Sequence, residues 1–215
     1  MKRLFDFALA SAGLLVSAPL LAAIAIAIRV SSPGPVLYRG RRIGLGGRPF
    51  PMLKFRSMVV DAERLGGSAT ANDDARITPV GRWLRRYKLD ELPQLVNVVK
   101  GEMSFVGPRP EVQKYCDMYS ARERAILTVK PGITDWASIW NSDEGAVLEA
   151  SPDPERAYEE LIRPTKIALQ LEYVRVHSFS GDLAILFHTA MKLLKHDWVP
   201  APIAGFGQVR RYRTS

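Results

Sequence analysis

Residues 7–28 read FALASAGLLVSAPLLAAIAIAI, an uninterrupted apolar run near the start of a chain of 215 residues. As a straight helix the run would be about 33 Å long, at roughly 1.5 Å per residue, which is enough to cross a bilayer. A cleaved signal peptide fits poorly, because the apolar stretch is too long and the chain that follows it is strongly basic. A simple membrane span and a re-entrant hairpin both remain.

The charges that flank the run separate these two alternatives. Lys2 and Arg3 precede it, and residues 29–60 contain a series of lysines and arginines but no acidic residue. The positive-inside rule places both flanks on the cytoplasmic side, which a single span cannot satisfy. Pro19 removes a helical N–H near the middle of the run, and Ser17 is placed to help satisfy the broken backbone. We therefore favour a re-entrant helix broken near Ser17 and Pro19, with a kinked span as the alternative.

The composition describes one domain with a sizeable core and a preference for polyanions. Hydrophobic residues make up 47% of the chain, and the formal net charge is +8. A basic balance favours nucleic acid, an anionic membrane or phosphorylated substrates as partners. A nucleic-acid binder would interleave aromatic stacking platforms with its basic runs, and the apolar segment argues further against that class. The single cysteine, Cys116, excludes an internal disulfide.

Beyond the apolar run, the hydrophobic pattern predicts a compact α+β fold that is mainly helical with few short strands. We expect helices over residues 80–87, 92–99, 111–129, 165–176 and 183–194, and strands over residues 36–38 and 51–57. The last helix has an apolar stripe that would pack on a core or lie in the membrane interface. The stripe contains Leu183, Leu186, Phe187, Ala190 and Leu194.

Residues 89–95, LDELPQL, contain adjacent carboxylates at a predicted helix start. Pro93 is tolerated only in the first turn of a helix, which places Asp90 or Glu91 where the macrodipole and free N–H groups favour negative charge. A carboxylate at that place stays ionised, as a nucleophile or a metal ligand must. Taken alone, such a pattern is more often plain helix capping.

Two further motifs supply cations. In residues 53–58, LKFRSM, Lys54 and Arg56 would share one face of a strand and could hold a diphosphate, although charges that protect an edge strand are the alternative. In residues 104–110, SFVGPRP, two prolines hold Arg109 in a rigid extended turn that suits bidentate binding of phosphate, the alternative being a structural turn with a surface arginine. Residues 130–134, KPGIT, predict a turn.

The order of these motifs is more specific than any one of them. No Walker loop, dinucleotide-binding fingerprint or zinc-ligand spacing occurs in the sequence. From about Lys2 to about Leu194 the chain resembles the bacterial sugar transferases, the monotopic phosphoglycosyl transferases: a Pro-containing apolar helix is followed by the four motifs in the family's order.

The resemblance implies an enzyme on the cytoplasmic face of the bacterial inner membrane. It implies a re-entrant membrane helix over residues 1–30, a catalytic domain with interfacial amphipathic helices over residues 31–200, and a basic tail over residues 201–215. The enzyme would move a sugar 1-phosphate from a UDP-sugar to polyprenyl phosphate with Mg²⁺ as cofactor, as the first membrane step of a glycan pathway such as exopolysaccharide synthesis. Anionic lipid is an expected partner, nucleic acid is not, and dimer formation is left open.

Residue roles follow from the same resemblance. Asp90 would be the nucleophile that forms a covalent aspartyl-phosphosugar and would also hold Mg²⁺, with Glu91 as the second catalytic carboxylate. The substrate-binding cations would be Lys54, Arg85, Arg109 and Arg56, the last because it lies beside Lys54 in the same motif.

The chain departs from the family pattern mainly after Thr134. Relatives usually have Gly-x-Ala-Gln where this chain has DWAS at residues 135–138, and they often have Asp at the place of Gln170. These changes suggest a different sugar pocket, and they leave open the roles of Asp135, Ser138, Glu144, Lys166 and Gln170. The alternative to an enzyme is a non-catalytic basic membrane-interface protein that binds anionic lipid or partner enzymes.

Overall fold

The computed structural model describes residues 1–195 and 197–207 and confirms a mainly helical α+β fold with few short strands. The α-helices are α1 Lys2–Ser31, α2 Ala62–Leu65, α3 Pro79–Arg86, α4 Gln94–Lys100, α5 Gln113–Asp117, α6 Trp136–Trp140, α7 Glu144–Leu148, α8 Pro154–Ala157, α9 Arg163–Val176 and α10 Phe179–Leu194. The strands are β1 Leu37–Ile43, β2 Pro49–Phe55, β3 Ser104–Val106 and β4 Gly132–Thr134. Tight 3₁₀ turns cover Leu45–Gly47, Leu89–Glu91, Glu123–Thr128 and Ala201–Phe206, and a π-helical turn covers Tyr158–Ile162.

β1 and β2 form an antiparallel hairpin that is paired along the whole length of both strands. Its turn is formed by residues 44–47, GLGG, in which Gly46 and Gly47 have φ angles of 67° and 75°. Glycine adopts this left-handed conformation with little steric cost. Met52 of β2 is buried in the core cluster that also contains residues of α4. The hairpin therefore presents the end of β2 to the segment between α3 and α4.

β3 and β4 lie side by side and parallel. Gly107 N donates to Thr134 O at 3.1 Å, and Gly132 N donates to Pro108 O at 3.0 Å. The two backbones approach so closely that a Cβ added to Gly132 would lie 2.2 Å from the nitrogen of Gly107. The KPGIT motif needs its glycine for this approach, and the pairing fixes the turn that carries Arg109.

α1 continues through Pro19, where the sequence predicted a break, so the segment is one helix and not two halves joined by a turn. Ser17 Oγ donates to Gly13 O at 2.6 Å. The carbonyl that Pro19 leaves without its helical partner is that of Leu15, four residues before the proline. Ser17 therefore does not fill the vacant hydrogen bond. Both halves of the helix pack on the domain, and this packing offsets the one missing bond.

One face of α1 lies along the domain, and the opposite face is open. Ala10 joins the core cluster that includes α4, while Ile24 and Ile28 join the cluster that includes Phe55 and Leu84. The helix is long and apolar enough to cross a membrane, with a mean hydropathy of 2.2. Its exposed apolar side chains include Leu4, Phe7, Leu9, Leu15, Val16, Leu20, Ile26 and Val30. An apolar surface of this extent suits lipid better than water.

The two ends of α1 are tied to the same domain. At the N-terminal end, Lys2 forms an ion pair with Asp182 of α10. One turn later, the buried Asp6 accepts a hydrogen bond of 2.8 Å from the hydroxyl of the first residue of β3. Beyond the C-terminal end, Arg56 Nη2 donates to the carbonyl of Ser32 at 2.8 Å. Both flanks of the apolar run therefore lie against one body of protein.

α10 turns most of its apolar stripe outward, although Leu186 of the stripe packs against the core cluster that contains Val106 and Leu169. Its exposed large apolar side chains are Phe179, Leu183, Phe187, Leu193 and Leu194. The ring of Phe179 meets that of Phe5 in α1 edge to face, with 5.4 Å between their centroids. The open apolar surfaces of α1 and α10 thus adjoin, which agrees with an interfacial amphipathic helix.

The long helix predicted over residues 111–129 is wrong. α5 is short, and the 3₁₀ turn Glu123–Thr128 follows it after a separate start. Ser120 N donates to Glu123 Oε2 at 2.7 Å, and Glu123 N donates to Ser120 Oγ at 3.3 Å. This reciprocal pair is a capping box, which begins a new helical turn instead of extending the previous one.

The fold extends beyond the boundary that the sequence placed at residue 200. Ile203 is 3% exposed and packs in the core cluster that contains Val106 and Leu169. His196 and residues 208–215, which contain the arginines of the predicted basic tail, lie outside the described residues.

Candidate active site

The adjacent carboxylates lie on the 3₁₀ turn Leu89–Glu91, which joins α3 to α4. Lys88 precedes this turn in the left-handed conformation, with a φ of 56°, and Pro93 is the N-cap of α4. A non-glycine residue in this conformation is strained, and such residues often occur at functional sites. Pro93 directly precedes α4, so a helix begins close to Asp90 and Glu91 as predicted, but the two carboxylates lie on the separate 3₁₀ turn before it.

Glu91 is held between two cations. Its Oε1 accepts a hydrogen bond from Lys54 Nζ at 2.9 Å, and its Oε2 accepts one from Arg109 Nη1 at 3.0 Å. A further bond from Arg109 Nη2 to Oε1 makes this pair bidentate. The end of β2, the carboxylate turn and the Pro-Arg-Pro turn therefore meet at one side chain.

Asp90 differs from its neighbour. It is 4% exposed and lines a cavity, yet within the described residues its carboxylate has no hydrogen bond or ion pair. Burial raises the pKa of Asp90, Lys54 opposes this effect and Glu91 adds to it. The sequence predicted that a helix start would keep Asp90 ionised, but burial opposes this ionisation in the protein without ligand. Within the described residues, the carboxylate of Asp90 remains unpaired.

The other ionisable groups of the site influence one another. Burial by itself would raise the pKa of Glu91, but Arg109 and Lys54 hold it well below its ordinary value. Burial lowers the pKa of Lys54, although Glu91 acts in the opposite direction. Burial also acts to lower the pKa of Arg109, but Glu91 raises it overall. Arg109 and Lys54 thus favour the ionised form of Glu91, and the charge of Glu91 opposes the effect of burial on the pKa of each cation.

These residues line one end of an open cavity of about 2600 Å³. Arg85 of α3 lines it as well, and its positive charge opposes the burial that raises the pKa of Asp90. Typical pockets for small molecules measure about 300–1,000 Å³, so this cavity suits a large polar ligand. Its other polar lining residues include Asn72, Asn141, Asp143, Glu144, Tyr158 and Lys166.

Arg56 also lines the cavity, but its guanidinium is bound to the chain just beyond α1. It is 6% exposed, and its guanidinium donates to the carbonyls of Ser32 and Pro33, each at 2.8 Å. β2 ends at Phe55, so Arg56 lies beyond the strand face that was expected to pair it with Lys54. The structure places it at the end of α1 and does not bring it to Asp90 or Glu91.

A second buried ion pair lines the cavity, and sequence reasoning did not assign it. Lys166 of α9 pairs with Glu111. Tyr158 Oη donates to Glu111 Oε1 at 2.8 Å and accepts from Lys166 Nζ at 3.1 Å. Glu144 Oε2 lies 3.9 Å from Lys166 Nζ. The signal that could have found Glu111 is its position directly after the Pro-Arg-Pro turn.

Asp135 and Gln170, whose roles the sequence left open, meet behind Arg109. Gln170 Nε2 donates to Asp135 Oδ2 at 3.1 Å, and the backbone N of Arg109 donates to the same oxygen at 3.2 Å. Asp135 Oδ1 accepts from the N and Oγ of Ser138, both at 2.7 Å, and so caps α6. These side chains contact the backbone of the Pro-Arg-Pro turn.

The acidic residues of the site bear on whether it can hold a metal ion. No group of three or more His, Cys, Asp or Glu side chains in the described part of the chain is arranged as a metal site. Mg²⁺ is commonly held by one or two carboxylates together with substrate phosphates and water. Asp90, free and facing the cavity, fits that requirement, whereas Glu91 is already paired.

Comparison with known proteins gives a family and several named relatives. A family model described as bacterial sugar transferase matches residues 1–196. The chain is 39% identical over 198 residues to the UDP-glucose:undecaprenyl-phosphate glucose-1-phosphate transferase of Escherichia coli strain K12, an alignment that covers 89% of this chain and 40% of that protein. It is 41% identical over 199 residues to an undecaprenyl-phosphate glucose phosphotransferase of Komagataeibacter xylinus, with 87% and 35% covered.

A relative with a different sugar in its name is also similar. The chain is 34% identical over 197 residues to a UDP-N-acetylgalactosamine-undecaprenyl-phosphate N-acetylgalactosaminephosphotransferase of Aeromonas hydrophila, with 90% of this chain and 44% of that protein covered. The chain thus spans about two-fifths of the length of these curated relatives.

Proposed function

The chain belongs to the bacterial sugar transferase family, and from this membership we propose that it transfers a sugar 1-phosphate from a UDP-sugar to polyprenyl phosphate. The observation that carries the proposal is a buried carboxylate, Asp90, which lines a large cavity and has no partner among the residues that the structure describes, while cations line the same end. The relatives named above act on such donors and acceptors by name. Phosphoryl transfer depends mainly on positioning and charge neutralisation, which this arrangement supplies.

The cations of the site bind the diphosphate of the donor. Lys54, Arg85 and Arg109 come from three different elements and line one end of the cavity. Glu91 holds Lys54 and Arg109 in place by hydrogen bonds of 2.9 and 3.0 Å. Preorganised cations of this kind stabilise the charge that develops on the transferred phosphoryl group.

Asp90 acts as the nucleophile in the first half-reaction. A carboxylate oxygen forms a bond to the phosphorus that bears the sugar, the bond from that phosphorus to the oxygen of UMP breaks, and UMP leaves with the electron pair. The product is an acyl phosphate, a mixed anhydride between the carboxyl group of Asp90 and the sugar phosphate. Covalent catalysis divides the transfer into two steps, so a soluble donor and a lipid acceptor need not bind together.

The lipid acceptor completes the second half-reaction. A phosphate oxygen of polyprenyl phosphate bonds to the same phosphorus, and the bond to Asp90 breaks to regenerate the carboxylate. The product is a polyprenyl diphosphate sugar, the starting lipid of a glycan pathway. Mg²⁺, when bound, would be held by Asp90 and would neutralise charge on the diphosphate.

We propose further that the chain is monotopic on the cytoplasmic face of the membrane. Support comes from the two ends of α1, which contact the same domain through Lys2, Asp6 and Arg56. A helix that crossed the bilayer would carry one of these contacts to the far side. The outer face of α1 and the adjoining stripe of α10 would instead enter the lipid from one side.

A single-turnover assay without lipid acceptor tests the mechanism. Purified protein, Mg²⁺ and a panel of UDP-sugars that includes UDP-glucose and UDP-N-acetylgalactosamine are mixed, and UMP release and intact mass are followed. We expect close to one UMP per protein and a matching phosphosugar adduct. Asp90→Asn should lose both by at least about a thousandfold, whereas Asp117→Asn, which changes an exposed acid of α5, should keep both.

Other outcomes would decide against parts of the proposal. Turnover only after polyprenyl phosphate is added, with no adduct, would reject Asp90 as a nucleophile but retain the transfer. No UMP release under either condition, with undiminished membrane binding by the Asp90→Asn variant, would favour a non-catalytic membrane-interface protein.

A further inference from the structure

We propose that Asp135 and Gln170 are positioning residues that set the place of Arg109 through its main chain, an inference that rests on the proposed transferase function. Both side chains are buried, at 1% and 0% exposure, and neither lines the cavity. They cannot contact a donor there, so an effect on the reaction must pass through Arg109.

The two side chains bind both backbone groups of Arg109, its N–H and its carbonyl. Asp135 Oδ2 accepts from the backbone N–H of Arg109 at 3.2 Å, and Gln170 Nε2 donates to its carbonyl at 3.4 Å. Gln170 Nε2 also donates to Asp135 Oδ2 at 3.1 Å, which joins the two. The peptide groups on either side of Arg109 therefore have fixed directions.

A displacement of Arg109 would move Glu91 and, through it, disturb the neighbouring Asp90. Its guanidinium binds Glu91, and Glu91 is adjacent to Asp90 and also holds Lys54. Misplacement of a positioning group by about 1 Å can lower a rate by about a hundredfold. The charge centres of the site thus depend on two residues that the donor never touches.

The direction of each hydrogen bond requires a carboxylate at residue 135. Asp135 accepts four hydrogen bonds, from the N and Oγ of Ser138, from Arg109 N and from Gln170 Nε2. An asparagine at this place would keep one oxygen for the cap of α6 but would turn its NH₂ group toward the N–H of Arg109. A buried donor that faces another donor has no partner, and Arg109 must move.

The test uses Asp135→Asn, because Asn caps a helix as well as Asp does. Asp153→Asn is the matched control, since Asp153 caps α8 through a bond of 3.1 Å to the N of Arg156 and does not line the cavity. We measure UMP release in the single-turnover assay, UDP affinity by calorimetry, and Tm. Asp135→Asn should release UMP about ten- to a hundredfold more slowly and bind UDP more weakly, and Asp153→Asn should change neither.

A double variant separates positioning from simple structural support. In Asp135→Asn with Gln170→Glu, the amide can donate to the new carboxylate, so the bond between the two residues is restored with its direction reversed. Both contacts to the main chain of Arg109 are then mismatched. We expect the double variant to recover at least part of the Tm that Asp135→Asn loses, without recovering the rate of UMP release.

The results distinguish the positioning role of Asp135 and Gln170 from the proposed transferase function. Recovery of both Tm and rate in the double variant, or an unchanged rate in Asp135→Asn, would overturn the positioning role. If Asp135→Asn does not fold, Gln170→Met, which removes the whole side-chain amide and with it both donated hydrogen bonds, should show the slower release, and a normal rate would overturn the inference. Wild-type protein that binds UDP but releases no UMP would refute the proposed function, and UDP affinity of the variants would then decide the inference. If wild-type protein neither binds UDP nor releases UMP, both the proposed function and the positioning role are overturned.

Discussion

At the residue scale, Glu91 is an anion that supports a site for phosphate because it binds the cations of that site. It holds two cations at the end of a cavity, and the bidentate contact fixes the plane of the Arg109 guanidinium. Removing a buried charge leaves its partners uncompensated, which costs more than the pair itself contributes. The role of Glu91 is thus to keep Lys54 and Arg109 charged and in place.

We predict that Glu91→Gln lowers the free energy of unfolding by roughly 2–4 kcal/mol at pH 7. Because Arg109 and Lys54 hold the pKa of Glu91 below its ordinary value of 4.5, its ionic contribution is present above that pH and is lost as pH falls through the lowered pKa. Denaturant titrations from pH 7 to pH 3 should therefore show a gap between wild type and variant that narrows at the acid end.

A matched surface substitution is the control for this prediction. Glu160 pairs with Arg156 at 2.7 Å, but its side chain is 58% exposed. Glu160→Gln should cost less than about 1 kcal/mol at any pH. A gap for Glu91→Gln that is equally small, or that does not change with pH, would contradict the structural role of Glu91.

Asp90 leads to the opposite prediction for stability. Burial raises its pKa above the unfolded value, so its ionised form destabilises the folded state once pH exceeds the unfolded pKa. Asp90→Asn should therefore raise Tm slightly at pH 7 while it abolishes UMP release. Thermal melts at pH 7 would check this, and a clear fall in Tm would show that the carboxylate is stabilised by its surroundings.

The sequence predicted some residues of the site but missed others. The structure brings Lys54, Glu91 and Arg109 together, as the order of motifs implied, and Asp90 lies beside them. Arg56 was paired with Lys54 by strand alternation, but the strand ends one residue too early for that argument. Contacts such as Asp135 with Gln170 join residues that are far apart in the chain, and no local pattern encodes them.

At the scale of elements, the parallel pair β3–β4 determines where the Pro-Arg-Pro turn lies. The pair depends on a backbone approach that only glycine at residue 132 permits, since a Cβ would lie 2.2 Å from Gly107 N and 2.5 Å from Gly107 O. Gly132 is not among the glycines with a positive φ, so space and not backbone conformation is the constraint.

We predict that Gly132→Ala destabilises the chain by about 3 kcal/mol, as overpacked backbone contacts do, and reduces UMP release further than the loss of folded protein explains. Gly205→Ala is the control, because a Cβ there meets nothing within 4 Å. Chemical denaturation and the single-turnover assay check the two parts. An alanine variant with wild-type Tm would show that β3 and β4 can separate without cost.

The elements differ in how well local pattern predicts them. α3, α4, α9 and α10 follow the predicted apolar periodicity within a few residues. The helix expected over residues 111–129 fails because Ser120 and Glu123 form a capping box, a signal that periodicity alone does not include. The β3–β4 pair was not predicted, because a parallel pair depends on a crossover connection and three-residue strands carry little pattern.

At the scale of the whole molecule, α1, α10 and the domain form one unit with an apolar side. Trp83 and Tyr87 of the basic helix segment at α3 are 50% and 54% exposed. Trp83 also borders a small apolar pocket formed with Ile24 of α1. Tryptophan and tyrosine commonly occur at the level of lipid headgroups. This side of the molecule therefore suits contact with a bilayer.

Cysteine labelling in vesicles tests this orientation. Leu4, Leu15 and Val30 are 73%, 78% and 83% exposed in the absence of lipid. Leu4 and Val30 lie at the two ends of α1 beside Arg3 and Arg29, which hold these ends at the level of the lipid headgroups. We predict that Leu4→Cys and Val30→Cys react with a membrane-impermeant maleimide added on the side of the domain, and that Leu15→Cys, in the middle of the apolar run, is protected by lipid. Wild type is the blank, since Cys116 is buried.

A spanning helix would give a different labelling pattern. Leu4→Cys would then react only after the vesicles are permeabilised. Release of the protein from vesicles by 1 M salt would contradict hydrophobic attachment, because salt screens electrostatic binding and leaves apolar burial intact.

The contact between Asp135 and Gln170 has an evolutionary consequence. The resemblance led us to expect that both positions depart from the usual family pattern, and the structure shows that the two side chains touch. Suppose that a lineage moved the buried carboxylate from residue 170 to residue 135. If residue 135 changed first, two carboxylates would lie together, and if residue 170 changed first, no carboxylate would remain. Either single change would therefore have a cost. We therefore expect the two substitutions to be epistatic, so that among close homologues of this chain they appear together or not at all.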